Sequence, residues 1–388
     1  METSRPDRSA SGNPSGFGPG RRLRSLAKVL PEQARAHNRA LVLQTLYHRG
    51  AMSRADLARE TGLTRVTISD LVAESIADGV IHELGVRDLA GPGKPPIVID
   101  IDREGHQIIG IDLSGASRFE GSVLDLGGRV LISRSVPRPD AADAEQAYAA
   151  ALGLIRSLLA EVDRPLLGIG VGSPGVVRSD GVILSAPNLG WQHFPLEARL
   201  GADLGQSVLV SNDANAAILA EYTFGEADAD VMLVRIGRGV GAGLIAGGHP
   251  LIGARFAAGE IGHVVVGTDG GPRCACGRDG CLEAWVNVPR LVAETAAADD
   301  PAAVLAYAGT RLGIAIAPIV AALDLSEIVI SGPAAQFGGE FLVAATRALH
   351  ERTLEGVFED VPVRLSNQGD IVVRGAAVMV LAAELGVS

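Results

Sequence analysis

The sequence predicts an α/β protein headed by a winged helix-turn-helix, with a larger α/β part that divides into two lobes around a cleft. Three observations carry this reading. From Ala34 the apolar residues fall at helical spacing, broken by a tight turn at Thr61-Gly62-Leu63. A Gly/Pro segment from Gly85 to Pro96 then separates Val80-Ile81 from the alternating Ile97-Val98-Ile99-Asp100-Ile101, as in a two-stranded wing. Beyond it, strand-like runs alternate with helical ones to the end of the chain, the pattern of an α/β domain with sites at strand ends.

Each element of the head follows in order. Residues 1–30 are rich in Ser, Gly, Pro and Arg without an apolar period, and read as a disordered tail. Leu41, Leu43, Leu46 and Tyr47 make an amphipathic first helix ending at Gly50. Ser53 caps a short second helix through Leu57 and Ala58, and Thr64 caps a third through Ile68, Leu71, Val72 and Ile76. A tight Gly-containing turn between the last two gives the helix-turn-helix. The segment is compatible with a small helical bundle for protein contacts. The open face of the third helix argues for DNA instead, because Thr64, Arg65, Thr67 and Ser69 suit base edges and phosphates. Ser53 and Arg54 at the start of the second helix join them. Lys94 sits at the wing tip Gly91-Pro92-Gly93-Lys94-Pro95, a lone cation on a narrow backbone that could enter a minor groove.

Charge divides the chain at the same place. The whole carries −11, which does not suit a DNA binder. Residues 1–99, however, hold 14 Lys and Arg against 10 Asp and Glu, and the rest 20 against 35. A basic head on an acidic body follows. The expected units are residues 31–103 for the head and 104–388 for the body. The body's lobes are expected over about 104–225, with a C-terminal helix at 375–388, and over 226–374. No apolar run reads as long enough to cross a bilayer. Arg21-Arg22 is followed by Arg24, Ser25 and Lys28, where an export signal needs apolar residues. A cytoplasmic protein without a membrane partner is expected.

In the body, 108–113, 119–125 and 130–136 read as strands and 141–162 as a helix. Leu167–Val171 and Val208–Val210 read as buried strands, Ala214–Tyr222 as a helix, and Val231–Ile236 and Val240–Ala246 as strands; helices dominate after Val288. The three cysteines all lie between 274 and 281, too clustered for a disulfide framework. With His263 they spell H-x10-C-x-C-x4-C, one imidazole and three thiolates, which is a closed tetrahedral set for structural zinc. Near it in sequence or at strand ends stand Asn212, Asp213, Glu260, His263 and Glu283. Carboxylates with an amide and an imidazole are groups that bind vicinal hydroxyls, since each carboxylate accepts several O–H bonds. Helix capping is the other reading of Asp213 and Asn215, and both roles can hold at once.

These residues fall in segments that closely resemble the ROK family of sugar kinases and sugar-responsive repressors. The carriers are Gly168-Ile169-Gly170-Val171-Gly172-Ser173-Pro174-Gly175, Pro187-Asn188-Leu189-Gly190-Trp191 and Asn212-Asp213-Ala214-Asn215-Ala216. To these add Ala258-Gly259-Glu260-Ile261-Gly262-His263 and the run from Cys274 to Glu283. The resemblance spans roughly 34–388, and Arg35-Ala36-His37-Asn38-Arg39 and Ser53-Arg54-Ala55-Asp56-Leu57-Ala58 match its regulator branch. It implies two RNase H-like lobes of the actin/hexokinase type with sugar in the cleft. It also implies that Asn212, Asp213, Glu260, His263 and Glu283 contact a monosaccharide, and that Asp213 occupies the place of the kinase general base. His263 would then serve both zinc and sugar.

The phosphate-handling segments depart from the kinase pattern. Kinases of the family read Asp-x-Gly-Gly-Thr where this chain has Asp112-Leu113-Ser114-Gly115-Ala116. They read Gly-Thr-Gly-Val-Gly where it has Gly237-Arg238-Gly239-Val240-Gly241, and Pro333 enters a Gly-rich turn. The five sugar positions are unchanged. The expectation is a repressor without kinase activity, a homodimer or homotetramer on double-stranded operator DNA; a regulator with residual ATP-dependent kinase activity is the alternative.

Overall fold

The computed structural model describes residues 31–86, 96–139, 143–267 and 270–387. The expected tail and the wing tip with Lys94 lie outside the described residues. The head comprises α1 (Pro31–Arg49), β1 (Met52–Ser53), α2 (Arg54–Thr61), α3 (Arg65–Ala77), β2 (Ile81–Val86) and β3 (Ile97–Ile101). Ser53 and Asp56 form a reciprocal capping box on α2, and Gly62 closes that helix in the left-handed region at φ 70°. Thr64 opens α3 by accepting from the Thr67 N–H. β3 lies between β1 and β2, antiparallel to both.

The body follows with β4 (Gln107–Asp112), β5 (Arg118–Asp125), β6 (Val130–Pro137), α4 (Ala144–Leu159) and β7 (Leu166–Ser173). A small antiparallel sheet of β8 (Val176–Val177), β9 (Val182–Ala186) and β10 (Trp191–Pro195) leads to α5 (Leu196–Leu204) and β11 (Val208–Asn212). Then come α6 (Asp213–Phe224), β12 (Val231–Ile236), β13 (Val240–Ala246) and β14 (His249–Pro250). The chain ends with α7 (Leu282–Val286), α8 (Val288–Ala297), α9 (Pro301–Leu323), β15 (Glu327–Ser331), α10 (Ala334–Phe337), α11 (Gly339–His350), β16 (Val363–Leu365) and α12 (Ile371–Leu385).

Two five-stranded sheets result, ordered β11-β7-β4-β5-β6 and β14-β13-β12-β15-β16. In each, the first three strands in chain order run antiparallel and the last two run parallel to the first. The body is thus a repeated α/β unit of the RNase H-like kind, as the resemblance implies. Strand alternation sorts the layers. Ile109 and Ile111 face a core with α4, while Ile108 faces the other way, toward α12. On β12, Met232, Val234 and Ile236 face α9 and α11, while Val231 and Leu233 face α6. The helices α6 and α12 therefore form the middle layer between the two sheets.

Close approach in that layer depends on glycine. A Cβ at Gly110 would lie 2.2 Å from the Val373 carbonyl oxygen, and one at Gly170 1.9 Å from that of Ala376. Neither strand tolerates a side chain where α12 crosses it. The head is fastened to the same helix: Leu43, Leu46, Ile99 and Ile101 share one core with Leu124, Leu126, Val373, Ala377, Leu381 and Leu385. The Tyr47 hydroxyl donates to the Leu126 carbonyl at 2.7 Å.

One sequence reading needs correction, and another needs an addition. α9 is long and apolar enough by length and composition to cross a membrane, although half of that stretch is buried inside the fold, where it packs on α11. The region after Val288 also holds two strands, β15 and β16, which complete the second sheet. Both are short and wholly flanked by helices, so no alternation marks them.

Candidate ligand cleft and metal-ligand cluster

The same alternation aims two side chains at one point. Asp112 ends β4 on the face of Ile108 and Gly110, and Arg235 lies on β12 on the face of Val231 and Leu233. Both faces look onto the middle layer, where α6 begins with Asp213. The Arg235 guanidinium donates to Asp213 Oδ2 at 2.7 Å and to Ser114 Oγ at 2.7 Å, with Asp112 Oδ2 3.6 Å away. Ser114 also donates its backbone N–H (2.7 Å) and its hydroxyl to Asp112 Oδ1. Asp213 Oδ1 accepts from the Ala214 N–H at 3.0 Å. All three charged side chains are at least three-quarters covered. Burial pushes the Asp213 carboxyl above the usual carboxylate range; Arg235 opposes that push and Asp112 adds to it. Burial works against the charge on Arg235, and Asp213 and Asp112 more than offset it.

Asn212 caps α6, its side-chain oxygen accepting from Ala214 and Asn215 and its amide donating to the Gly175 carbonyl at 2.9 Å. The capping role weighed for Asp213 and Asn215 thus falls to Asn212. Glu260 follows Gly259, whose φ of 88° and approach to the Ala242 carbonyl exclude a side chain. Glu260 as a residue is exposed, yet burial around its carboxyl pushes that group up; His263 opposes this, and Asp213 and Glu283 add to it. Those neighbours bring four of the five expected sugar residues into one electrostatic group, and Asn212 adjoins it at the α6 terminus. Glu283 accepts from the Val240 N–H at 3.2 Å, tying α7 to β13.

His263, Cys274, Cys276 and Cys281 converge, with their ligand atoms all within 4.8 Å of one another. Cys274 Sγ lies 3.6 Å from His263 Nδ1, and the Cys276 and Cys281 sulfurs are 3.6 Å apart. Donors bound tetrahedrally at about 2.0–2.3 Å stand roughly 3.5–3.8 Å from each other, so the set could hold a metal ion. Arg278, through its backbone N–H and its side chain, lowers the Cys276 thiol to about 6, while burial pushes Cys281 up to about 12.

Three of the departures from the kinase pattern find a place. Ser114 is half of the Arg235 bridge. Arg238 is exposed at the tip between β12 and β13, and together with burial it lowers Arg138, which donates to the Gly115 carbonyl at 3.2 Å. Pro333 precedes the short α10. Sequence reasoning missed Arg235, although strand period alone puts it on the α6 face.

On the head, Thr64, Arg65 and Ser69 are exposed on α3, with Thr67 half-buried beside Thr64. Val66 is 70% exposed among them, an apolar contact the sequence reading did not single out. Arg54 donates to Glu83 on β2 at 2.9 Å. Ser53 departs from expectation: it is 5% exposed and its hydroxyl is committed to Asp56, so it serves as a cap and not as a contact.

With this geometry, the comparisons with known proteins are specific. The model of the ROK family matches residues 108–383, and the chain belongs to that family. It is 28% identical over 382 residues to the xylose repressor of Caldicellulosiruptor bescii, covering 89% of this chain and 95% of that one. Among solved structures, a ROK family transcriptional regulator homologous to the E. coli MLC protein aligns with TM-score 0.79 at 25% identity, over 91% of this chain and 97% of its own. A ROK family glucokinase from Streptomyces griseus, solved with glucose and AMPPNP, aligns with TM-score 0.60 at 25% identity, over 70% of this chain and 98% of its own. The regulator's greater reach matches the length of the N-terminal head.

Proposed function

We infer that the protein is a DNA-binding transcriptional repressor whose operator affinity is set by a monosaccharide in the cleft. One observation carries the reading: the head shares a core with α12, and α12 packs on α6, whose first residue is Asp213. A ligand at Asp213 is therefore one helix away from the DNA-binding unit. The full-length likeness to a repressor supports the same conclusion.

In this reading residues 31–103 bind DNA, and 104–388 form the two-lobed sensor. Arg54, Thr64, Arg65, Thr67, Ser69 and Lys94 meet the operator, with α3 in the major groove and the wing beside it. A cytoplasmic homodimer or homotetramer places two heads on successive turns of double-stranded DNA. Asn212, Asp213, Glu260, His263 and Glu283 bind the sugar hydroxyls. His263, Cys274, Cys276 and Cys281 would hold a structural Zn2+, which would fix the orientation of the imidazole that also serves the sugar. Sugar shifts the DNA equilibrium only by binding one lobe arrangement better than the other. Phosphoryl transfer is absent, because the nucleotide corner is filled and its loops altered; residual sugar kinase activity is the competing reading, favoured by the glucokinase likeness.

A melting screen of zinc-loaded protein against xylose, glucose and N-acetylglucosamine tests this, alongside anisotropy on an operator fragment. One sugar should raise Tm and weaken DNA binding, and Glu260→Ala should abolish both effects. Absence of a thermal shift with every sugar overturns the sensor reading. Sugar-dependent ATP turnover near 1 per second, the low end for kinases at ~1–100 per second, overturns the loss of catalysis.

A further inference from the structure

We propose that Arg235 is a resident cation that fills the corner of the cleft where Asp112, Ser114 and Asp213 would otherwise hold a divalent ion, so that the cleft takes sugar without a metal–nucleotide. This deepens the sensor reading and rests on it for the sugar half of the statement. Two carboxylates and a hydroxyl converging at strand ends are a hard-oxygen donor set of the kind that binds Mg2+ or Mn2+. Here the guanidinium meets Asp213 Oδ2 and Ser114 Oγ, both at 2.7 Å, with Asp112 at 3.6 Å. The planar, always-charged fork suits bridging oxygens on two elements. Ser114, which stands in place of a glycine of the kinase pattern, supplies one of those oxygens.

The bridge also crosses the cleft. Asp112 and Ser114 belong to the first sheet's end, and Arg235 belongs to the second sheet. Phosphoryl transfer uses metal ions to join the nucleotide's phosphates to the protein. With Arg235 in place, the lobes are joined by the protein's own charge, and Asp213 is engaged as an anion partner instead of standing free as a base.

The test is Mn2+ binding to full-length, zinc-loaded protein, read by electron paramagnetic resonance of free Mn2+. Arg235→Ala should bind one Mn2+ about ten-fold more tightly than wild type, and Arg235→Ala with Asp112→Asn should lose that gain. No gain in folded Arg235→Ala overturns the proposal. Should that variant fail to fold, Arg235→Gln keeps a polar head without charge. Mn2+ should then raise its Tm but not that of wild type, and an equal response in both overturns the proposal. Melting the same samples with the sugar panel separates the two readings. A Mn2+ gain with no sugar shift in wild type sinks the sugar site and leaves Arg235 assigned; a sugar shift with no Mn2+ gain does the reverse.

Discussion

The two sheets of the body share one strand order and one pattern of parallel and antiparallel pairing, yet their central strands end differently. β4 ends on Asp112 with Ser114 beyond it, and β12 nears its end on Arg235. In the first sheet the strand end offers oxygens, and in the second it offers a cation. The repeated fold therefore brings together two unlike ends and makes them complementary. Topology sets where chemistry occurs, and a single residue at each strand end sets which chemistry it is.

The lobes differ in their supports as well, and that difference can be broken experimentally. The largest effect is expected from the metal-ligand cluster, which belongs to the second lobe alone. Chelation or Cys281→Ser should strip the metal, lower Tm sharply and abolish any sugar shift, because structural zinc sites supply folding free energy outright. Hydrogen exchange should show the opening confined to residues around β13 and α7; equal loss in the first sheet would show that the lobes do not melt separately. In the first lobe the matching support is close packing. Gly170→Val, which forces a side chain into the Ala376 carbonyl, should cost about 3 kcal/mol by denaturant unfolding. It should also loosen the head, and an unchanged midpoint would remove α12 as the common support.

Smaller effects sharpen the contrast between head and cleft. Arg65→Ala should weaken operator binding by about 1–3 kcal/mol while the sugar-induced Tm shift stays the same. A lost sugar response in that variant would contradict separate roles. Smallest is Arg199→Ala, which removes an exposed pair with Glu145 and a guanidinium 4.0 Å from the Tyr148 ring centroid. It should cost about 1 kcal/mol or less in melting experiments and leave both binding activities intact.

Much of this was legible in the sequence because the signals were local. Ser53, Gly62 and Thr64 mark the helix-turn-helix within a dozen residues, and the cysteines mark the cluster by lying together in a chain with no others. The first sheet's opening strands are apolar runs bounded by polar or glycine-rich turns and were placed within a residue or so. What escaped was non-local. Arg235 gains its meaning from Asp112 and Ser114 more than a hundred residues earlier, and β16 has only three residues, too few to show a period. Ser53 was misjudged for a related reason: its cap was read correctly, but only burial shows that capping uses up its hydroxyl. The docking of the head on α12 could not be read from either segment alone, since each simply looks amphipathic.

That docking has a consequence for synthesis. The core of the head's first helix includes Leu381, Leu385 and Val387, which lie more than three hundred residues further along the chain. The head is therefore made long before α12, the helix that covers its core. A polypeptide released prematurely would carry the recognition residues on an unfinished scaffold. Truncation before α12 leaves the apolar face of the head's first helix without its covering residues.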